Sequence, residues 1–441
     1  MSQQTPISRR AALRNVAAGF AFPAVFRAHS AGASPNETLL HASFGASGMA
    51  GADLDSLSTS KHLEPVAVAE VDLRRAEGLR KRFPKMRVYQ DWRELLDKEK
   101  DLDCANISTP DHMHAPITMS AMNRGLHVYT QKPLTQTLHE ARRLTQVAAD
   151  KKLVTQMGIQ IHSHPVHRKI VAGVHAGVVG KIREVHSWSG KRWGDSKPAP
   201  MRTDAVPEKF DWNLWLGVAQ DRPFINGYYH PGEWRKRLDF GTGTFGDMGC
   251  HILDPVFGAL ELTFPHRVVS TGGSPVDLSW GLDSQVRYDF PGTAHTEANV
   301  VLHWYDGSRR PPEEIRKLLG DRALSDQGSI YVGEKGTLYT PYIDEPVVYV
   351  DGKPTDAKLP DVGGNDHYLQ WVDACRGEGK TSAPFSYAGP LTELVLIGCL
   401  ATRFPGVELK WDPKAMVFAD NDAANRLVKR TYRKGWEVAG F

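Results

Sequence analysis

The 441-residue sequence predicts an α/β chain of two parts: an amino-terminal parallel sheet with helices on both faces, then an α+β domain built on a large, open, mostly antiparallel sheet. Two observations predict it. From Leu39 onward, short apolar runs alternate with helical segments, the pattern of parallel strands joined by crossovers. After Gln160 that rhythm gives way to a series of strand-like runs separated by turn signals. The chain is also long enough to bury two cores.

The elements follow in order. LLHASFG is a short apolar strand, GASGMAG a turn of small residues, and ADLDSLSTS the start of a helix. PVAVAEVD is a second strand that ends in acids, DLRRAEGLRKRF is helical, and RVYQDWRELLDK adds a short strand and a helix. DCANISTP is a strand stopped by Pro110, HAPITMSAMNRG a helix closed by Gly125, and LHVYTQKP the next strand. LHEARRLTQVAADKK and LVTQMGIQ complete the unit as helix and strand. In the second part PVHRKIVAGVHAG reads as a helix, and KIREVHSWSGKRW, HRVVSTGG, DSQVRYDF, ANVVLHWYDG, GSIYVGEKGTLYT and PVVYVDG read as strands, expected to pair antiparallel. Residues 308–329 are polar, with prolines near their start, and read as a surface loop. NDHYLQWVDACRGEG and LTELVLIGCLATRF are amphipathic or buried helices, and the closing NDAANRLVKRTYRKGWEVAGF is a helix and tail.

Charge narrows the partners. The chain has 54 basic and 51 acidic residues, but Arg9, Arg10, Arg14 and Arg27 fall within residues 1–33, which hold no acid. The remainder balances to within one charge and offers no field for nucleic acid or an anionic membrane. ISRRAALRNVAAGFAFPAVF resembles a twin-arginine export signal, with Ala12 where that pattern has phenylalanine and small residues around Ala31 and Ala33. Its apolar run is too short for a stable membrane span. The expected division is a signal at 1–33, a nucleotide-binding domain at 34–160 and a substrate-binding and oligomerisation domain at 161–441. The expected location is the periplasm or another extracytoplasmic compartment. Cys104, Cys250, Cys375 and Cys399 are far apart, without CxxC spacing, so neither a disulfide framework nor a thiolate zinc site is visible.

The first turn indicates what the parallel sheet binds. In the dinucleotide fingerprint G-x-G-x-x-G, the positions here are Gly45, Ser47 and Ala50, with Gly48 and Met49 between the last two. Gly45 permits the sharp turn, and Ala50 still permits close packing of helix on strand. Ser47 is the departure, and its hydroxyl could donate to a phosphate or crowd it. Glu70 closes the second strand and suits an acid accepting from ribose hydroxyls, which favours NAD over NADP; Arg74 and Arg75 soften that preference.

STPDHMHAPITMSAMNRGLHVYTQKPL resembles a stretch of the Gfo/Idh/MocA oxidoreductases. Thr109, Pro110 and His114 match a TPxxxH element, and Gly125, His127, Val128, Lys132 and Pro133 match G-K-H-V-x-x-E-K-P, with Gln131 in place of glutamate. The resemblance implies a Rossmann-type first domain holding NAD, a lysine, Lys132, beside nicotinamide and substrate hydroxyl, and contact of the cofactor with Thr109, Pro110, His114 and Gln131. Independently of the family, a lysine at the carboxyl end of a parallel strand stands where such sheets bind ligands and can exchange a proton with a carbinol oxygen. A neutral Gln131 can orient it but adds no opposite charge.

GDMGCHILD, residues 246–254, could be a metal site, an acid–base site or the polar edge of a helix. Asp247 and His251 are four apart on one helical face, with Asp254 three further on; too few ligands are clustered for zinc, and an imidazole beside a carboxylate suits proton transfer. The string also matches the family's D-x-G-x-H, which implies His251 as acid or base on the hydroxyl and Asp247 as its support. Aromatic and charged residues nearby suggest a polyol ligand: Trp193, Tyr229 and Trp234 for apolar sugar faces, Arg192 for hydroxyls or a carboxylate, and Gln160 besides. The reading is hydride transfer between a nicotinamide and a sugar hydroxyl. Two alternatives stand beside it: a glycosidase or lyase with bound, recycled NAD, and a carbohydrate-binding protein on the same fold. The resemblance further implies homo-oligomers through the second sheet.

Overall fold

The computed structural model describes residues 38–441, so the twin-arginine-like segment lies outside the described residues. Six parallel strands, β1 (Leu39–Phe44), β2 (Leu63–Ala69), β3 (Arg87–Tyr89), β4 (Cys104–Ile107), β5 (His127–Gln131) and β6 (Thr155–Gly158), take the order β3-β2-β1-β4-β5-β6. Their crossovers carry helices α1 (Met49–Leu57), α2 (Glu77–Arg82), α3 (Trp92–Lys98), α4 (Asp111–Asn123) and α5 (Leu138–Asp150). The order reverses between β1 and β4, and a crevice opens at the carboxyl ends of those strands. β1, β4 and β5 are almost wholly buried, as expected of strands covered on both faces. α5 begins with a capping box, in which Thr137 and Glu140 satisfy each other's backbone N–H groups.

The second sheet has ten strands: β7 (Ile182–Ser189), β8 (Arg267–Ser270), β9 (Gln285–Pro291), β10 (Thr296–Asp306), β11 (Gln327–Gly333), β12 (Thr337–Thr340), β13 (Val347–Val350), β14 (Lys353–Pro354), β15 (Glu408–Asp412) and β16 (Val417–Ala419). Their order is β14-β13-β12-β11-β7-β10-β9-β8-β15-β16. The expected antiparallel pairing holds for every neighbour except β7 and β10, which run parallel. The long segment between those two holds two α-helices and the strands β8 and β9, so no hairpin forces them antiparallel. β14, β15 and β16 escape a reading by apolar runs because they are short and half exposed.

The remaining helices are α6 (Pro165–His175), α7 (Trp212–Leu216), α8 (Gly243–Ala259), α9 (Glu313–Arg316), α10 (Leu369–Cys375), α11 (Phe385–Ala401) and α12 (Asp422–Val428). α8 is buried along nearly its whole length between the second sheet and α11. Phe245 stacks on Trp304 of β10 at 4.5 Å, and a Cβ on Gly249 would meet the Phe245 ring at 2.7 Å and Val395 of α11 at 3.1 Å. Gly249 is thus the residue that lets α8 lie this close to its neighbours. Residues 308–329 are not a simple loop: they contain α9, and Ile315 and Leu319 are buried against Trp188, Tyr305 and Tyr339.

The carboxyl-terminal third returns to the first domain. α11 packs on α5, where Arg142 forks onto the buried Glu393 at 2.7–2.8 Å. Trp371 of α10 is fully buried among Leu39, Cys104 and Tyr129, and Trp436 of the tail lies 4.2 Å from the Arg93 guanidinium. The tail that the sequence left without a contact therefore lies against the nucleotide-binding domain. Among the described residues, no helix is long and apolar enough to cross a membrane. All four cysteines are buried free thiols.

Candidate active site

The principal cavity lies at the carboxyl ends of β1, β2, β4 and β5, and is closed on its far side by α8 and the 212–235 region. Gly45, Ser47, Gly48, Met49, Glu70, Thr109, Pro110, His114, Gln131, Lys132, Trp234 and Asp247 all line it. Along the chain these residues are spread over some two hundred positions.

Gly45 sits at φ 103°, where a side chain is strained, and a Cβ there would approach the Ala50 Cβ at 2.9 Å and the Ser108 carbonyl oxygen at 3.0 Å. Ala50 itself is buried beneath the turn and packs rather than lines. Ser47 Oγ and Thr109 Oγ1 are buried without any partner. Two unsatisfied hydroxyls on opposite lips of one crevice are the donors a bound polar group would take up, since burying them alone is unfavourable. The turn therefore fits a dinucleotide, and Ser47 is a prospective phosphate donor.

Glu70 accepts from the backbone N–H of Ala46 and of Asp72, both at 3.0 Å. Burial raises its carboxyl, against those two bonds. It thus braces the glycine-rich turn as well as facing the cavity. Arg74 is forked onto Asp72 at 2.7 Å through two nitrogens, which leaves Arg75 as the arginine on this wall.

At the reactive end, Lys132 Nζ donates to the Asp247 carbonyl at 2.7 Å and to its Oδ1 at 2.8 Å. Both side chains are largely buried. Burial would raise the Asp247 carboxyl, but the Lys132 and Arg235 charges outweigh it and hold it well below the usual carboxylate range. The expected pairing of Asp247 with His251 is replaced by this one. A strand-end lysine from the other domain reaches the carboxylate, and His251 is left with Nδ1 buried and unpartnered. Burial and then the Lys132 charge push His251 down to about 3, so it is a neutral and weakly basic imidazole. It does not line the cavity.

Gln131 also departs from expectation. Its amide does not support the Lys132 ammonium; its Nε2 donates to both oxygens of Asp53 at 3.0 and 2.9 Å. Ser108 and Tyr368 complete that cluster at 2.7 and 2.9 Å. Burial raises Asp53, against these neutral donors. Gln160, expected at the substrate, belongs here instead, donating to the Tyr368 hydroxyl at 3.0 Å.

Three more expected substrate contacts lie elsewhere. Tyr229 is buried in an aromatic cluster with Trp212, Trp215 and Phe240, Arg192 pairs with Asp283 at 3.1 Å on the surface, and Trp193 stands behind Arg235 rather than on the cavity wall. Asp254 turns away from Asp247 to accept from His162 Nδ1 at 2.9 Å and the Tyr387 hydroxyl at 2.7 Å. The two His/Glu groupings with metal-like spacing among the described residues, His175/Glu261/His295 and Glu184/His186/His303, include nothing from GDMGCHILD.

Asp111 was missed. It is the first residue of α4, lines the cavity, and accepts from Thr242 Oγ1 at 2.7 Å. Burial pushes it up to about 7, against the Thr242 bond and the Arg235 and Lys132 charges. Because the native state holds this proton more tightly than the unfolded chain, where the value is near 3.8, wild-type stability is full below the unfolded value and is lost as pH rises through about 7. Asp111→Asn should therefore stabilise the cofactor-free protein by about 2–4 kcal/mol at pH 8, with little gain at pH 4. Urea unfolding at the two pH values measures this; equal stability of the two proteins at pH 8 would contradict it.

Sequence comparison places the chain. Residues 41–159 match the model described as oxidoreductase family, NAD-binding Rossmann fold, and residues 149–278 match that family's C-terminal alpha/beta domain. The chain belongs to the Gfo/Idh/MocA oxidoreductase family. It is 22% identical to levoglucosan dehydrogenase of Pseudarthrobacter phenanthrenivorans, over 54% of this chain and 59% of that protein. It is 30% identical to inositol 2-dehydrogenase 4 of Saccharopolyspora erythraea, over 34% of this chain and 45% of that protein. The chain thus spans about half the length of these curated relatives. Among solved structures it is similar to the WlbA dehydrogenase of Bordetella pertussis in complex with NADH and UDP-GlcNAcA, at TM-score 0.63 and 12% identity, over 86% of this chain and 98% of that one. It is likewise similar to GenD2 from gentamicin A biosynthesis in complex with NAD, at TM-score 0.58 and 16% identity, over 86% and 98%. At these identities the structures establish the shared fold.

Proposed function

We propose that the protein is an oxidoreductase that uses NAD in preference to NADP and acts on a hydroxyl of a sugar or sugar derivative. The observation that carries this reading is the meeting, in one cavity, of the glycine-rich turn, two unpartnered hydroxyls and the Lys132–Asp247 pair. Bound along the turn, the dinucleotide supplies the hydride acceptor or donor. Ser47 donates to its phosphates, Glu70 accepts from its ribose, and Thr109, Pro110 and His114 form the wall that leads to Lys132. An ammonium has three N–H groups, and Asp247 engages two of those of Lys132. The third is directed by that pairing to a substrate oxygen, where Lys132 gives a proton to a carbonyl being reduced or, once deprotonated, takes one from a hydroxyl being oxidised. The proton role expected of His251 is thereby assigned to Lys132. The names of the relatives, dehydrogenases of an anhydrosugar and a cyclitol, support the substrate class.

Preference for NAD rests on Glu70 at the end of β2 and on the engagement of Arg74 by Asp72. Titration of stripped protein should give an NAD affinity at least tenfold above that for NADP, about 1.4 kcal/mol. Equal or tighter NADP binding would instead assign Arg75 to a 2′-phosphate. The twin-arginine-like start favours a protein exported with its cofactor already bound, and hence turnover on retained NAD. Sugar turnover without added NAD would support that variant, whereas a strict requirement for stoichiometric NAD would leave the simple dehydrogenase.

A further inference from the structure

Arg235 is not used by the mechanism above. It lies on the cavity wall beside Lys132, with its guanidinium carbon 4.2 Å from the Trp234 ring centroid and 5.5 Å from that of Trp193. Two indoles thus orient a planar cation. Only Nε meets Asp247, at a long 3.4 Å, and among the described residues the two terminal nitrogens have no hydrogen-bond partner. The fork is therefore positioned from behind, with its paired donors left for something in the cavity.

The charge balance around it is uneven. Lys132, Arg235 and Lys191 stand 2.8, 3.4 and 3.9 Å from the Asp247 carboxylate. One anion faces three cations, of which Lys132 is largely buried, Arg235 partly buried and Lys191 exposed at the rim, and a bound oxidised nicotinamide would add a fourth positive charge. Asp111 is the other acid on this part of the wall, and Thr242 already occupies one of its oxygens. Uncompensated cations in a low-dielectric cleft attract an anion far more strongly than they would in water. A planar fork with both terminal nitrogens available matches a carboxylate, which accepts two parallel N–H bonds.

We infer that the substrate is a sugar acid, a uronate or aldonate whose carboxylate is held by the Arg235 fork while Lys132 addresses a hydroxyl. This rests on the oxidoreductase reading for the identity of the site and narrows its substrate class. The neutral sugar is the competing class: it would leave the excess positive charge unmet and the Arg235 donors to water.

The test uses the NAD-loaded protein and measures binding by calorimetry, independently of turnover. The probes are D-glucuronate, D-galacturonate and D-gluconate, each against an uncharged counterpart: the two uronate methyl esters, and glucose. At least one acid should bind at least tenfold more tightly than its counterpart, and the advantage should shrink as salt rises. Arg235→Gln should remove at least tenfold of that preference. Arg235→Lys, which keeps the charge on Asp247 and so guards against a folding defect, should retain only part of it, because an ammonium lacks the fork. The inference is overturned if no acid binds better than its counterpart, or if both variants keep the wild-type preference. A protein that prefers the acids but transfers no hydride to or from any of them would fail the oxidoreductase reading alone.

Discussion

Lys132→Met should lower sugar-dependent reduction of nicotinamide by about 10²–10⁴-fold, the range seen when a positioned proton-transfer group is removed. The side chain carries the one N–H in the pair that Asp247 does not engage. Methionine keeps most of the volume, and Arg235 remains 3.4 Å from Asp247, so the carboxylate is not left without a cation. NAD affinity should change by less than about threefold, since the donors facing the dinucleotide lie on the Gly45 turn and at Thr109. Lys132→Arg is the sharper variant: it preserves the charge and the pairing but does not release a proton at accessible pH. It should be nearly as slow as Lys132→Met. His251→Ala should be the milder lesion, because that imidazole is off the cavity wall and held neutral. If Lys132→Arg turns over within tenfold of wild type while His251→Ala is inactive, the roles of the two residues are reversed.

The second large effect concerns the Gln131 amide. Gln131→Glu should destabilise the protein by about 3 kcal/mol or more at pH 8, because it puts a second carboxylate against both oxygens of Asp53, whose partners among the described residues are all neutral. Like charges this close cannot both ionise, so the loss should shrink as pH falls and the pair takes up a proton. The exchange Asp53→Asn with Gln131→Glu restores one acid and one amide and should recover most of the stability, with the coupling read from a double-mutant cycle. Additive losses in that cycle, measured by urea unfolding, would show that the contact does not decide the identity of residue 131.

These two sites show what sequence could and could not disclose. Gln131 was visible as a departure, but its cause was not, because Asp53 lies in the first helix and reads there as an ordinary polar residue. The spacing of Asp247 and His251 correctly put both on one helix, yet spacing along a helix does not determine which cross-domain side chain arrives first. Lys132, carried to the spot by β5, took the carboxylate. Asp111 was quoted within the TPxxxH stretch without a role, since only its burial, which outweighs the Thr242 bond, gives it an unusual proton affinity. The parallel sheet was legible from alternation alone because its central strands are buried on both faces and written as apolar runs. The edge strands of the second sheet, half exposed, carry no such signature. Of the aromatic residues grouped as a sugar platform, Trp234 reaches the cavity, while Tyr229 is consumed by the core, as large rings usually are.

The most direct measurement of the central claim follows the hydrogen itself. Protein loaded with NAD is incubated with the sugars and sugar acids named above, each deuterated at every carbon, and the nicotinamide is recovered and weighed by mass spectrometry. Wild-type protein should give nicotinamide one deuterium heavier with at least one of them, and Lys132→Arg should form that species at least a hundredfold more slowly with NAD still bound. Failure of the wild-type protein to bind NAD, or product formed from a deuterated sugar with no deuterium reaching the nicotinamide, would contradict the account.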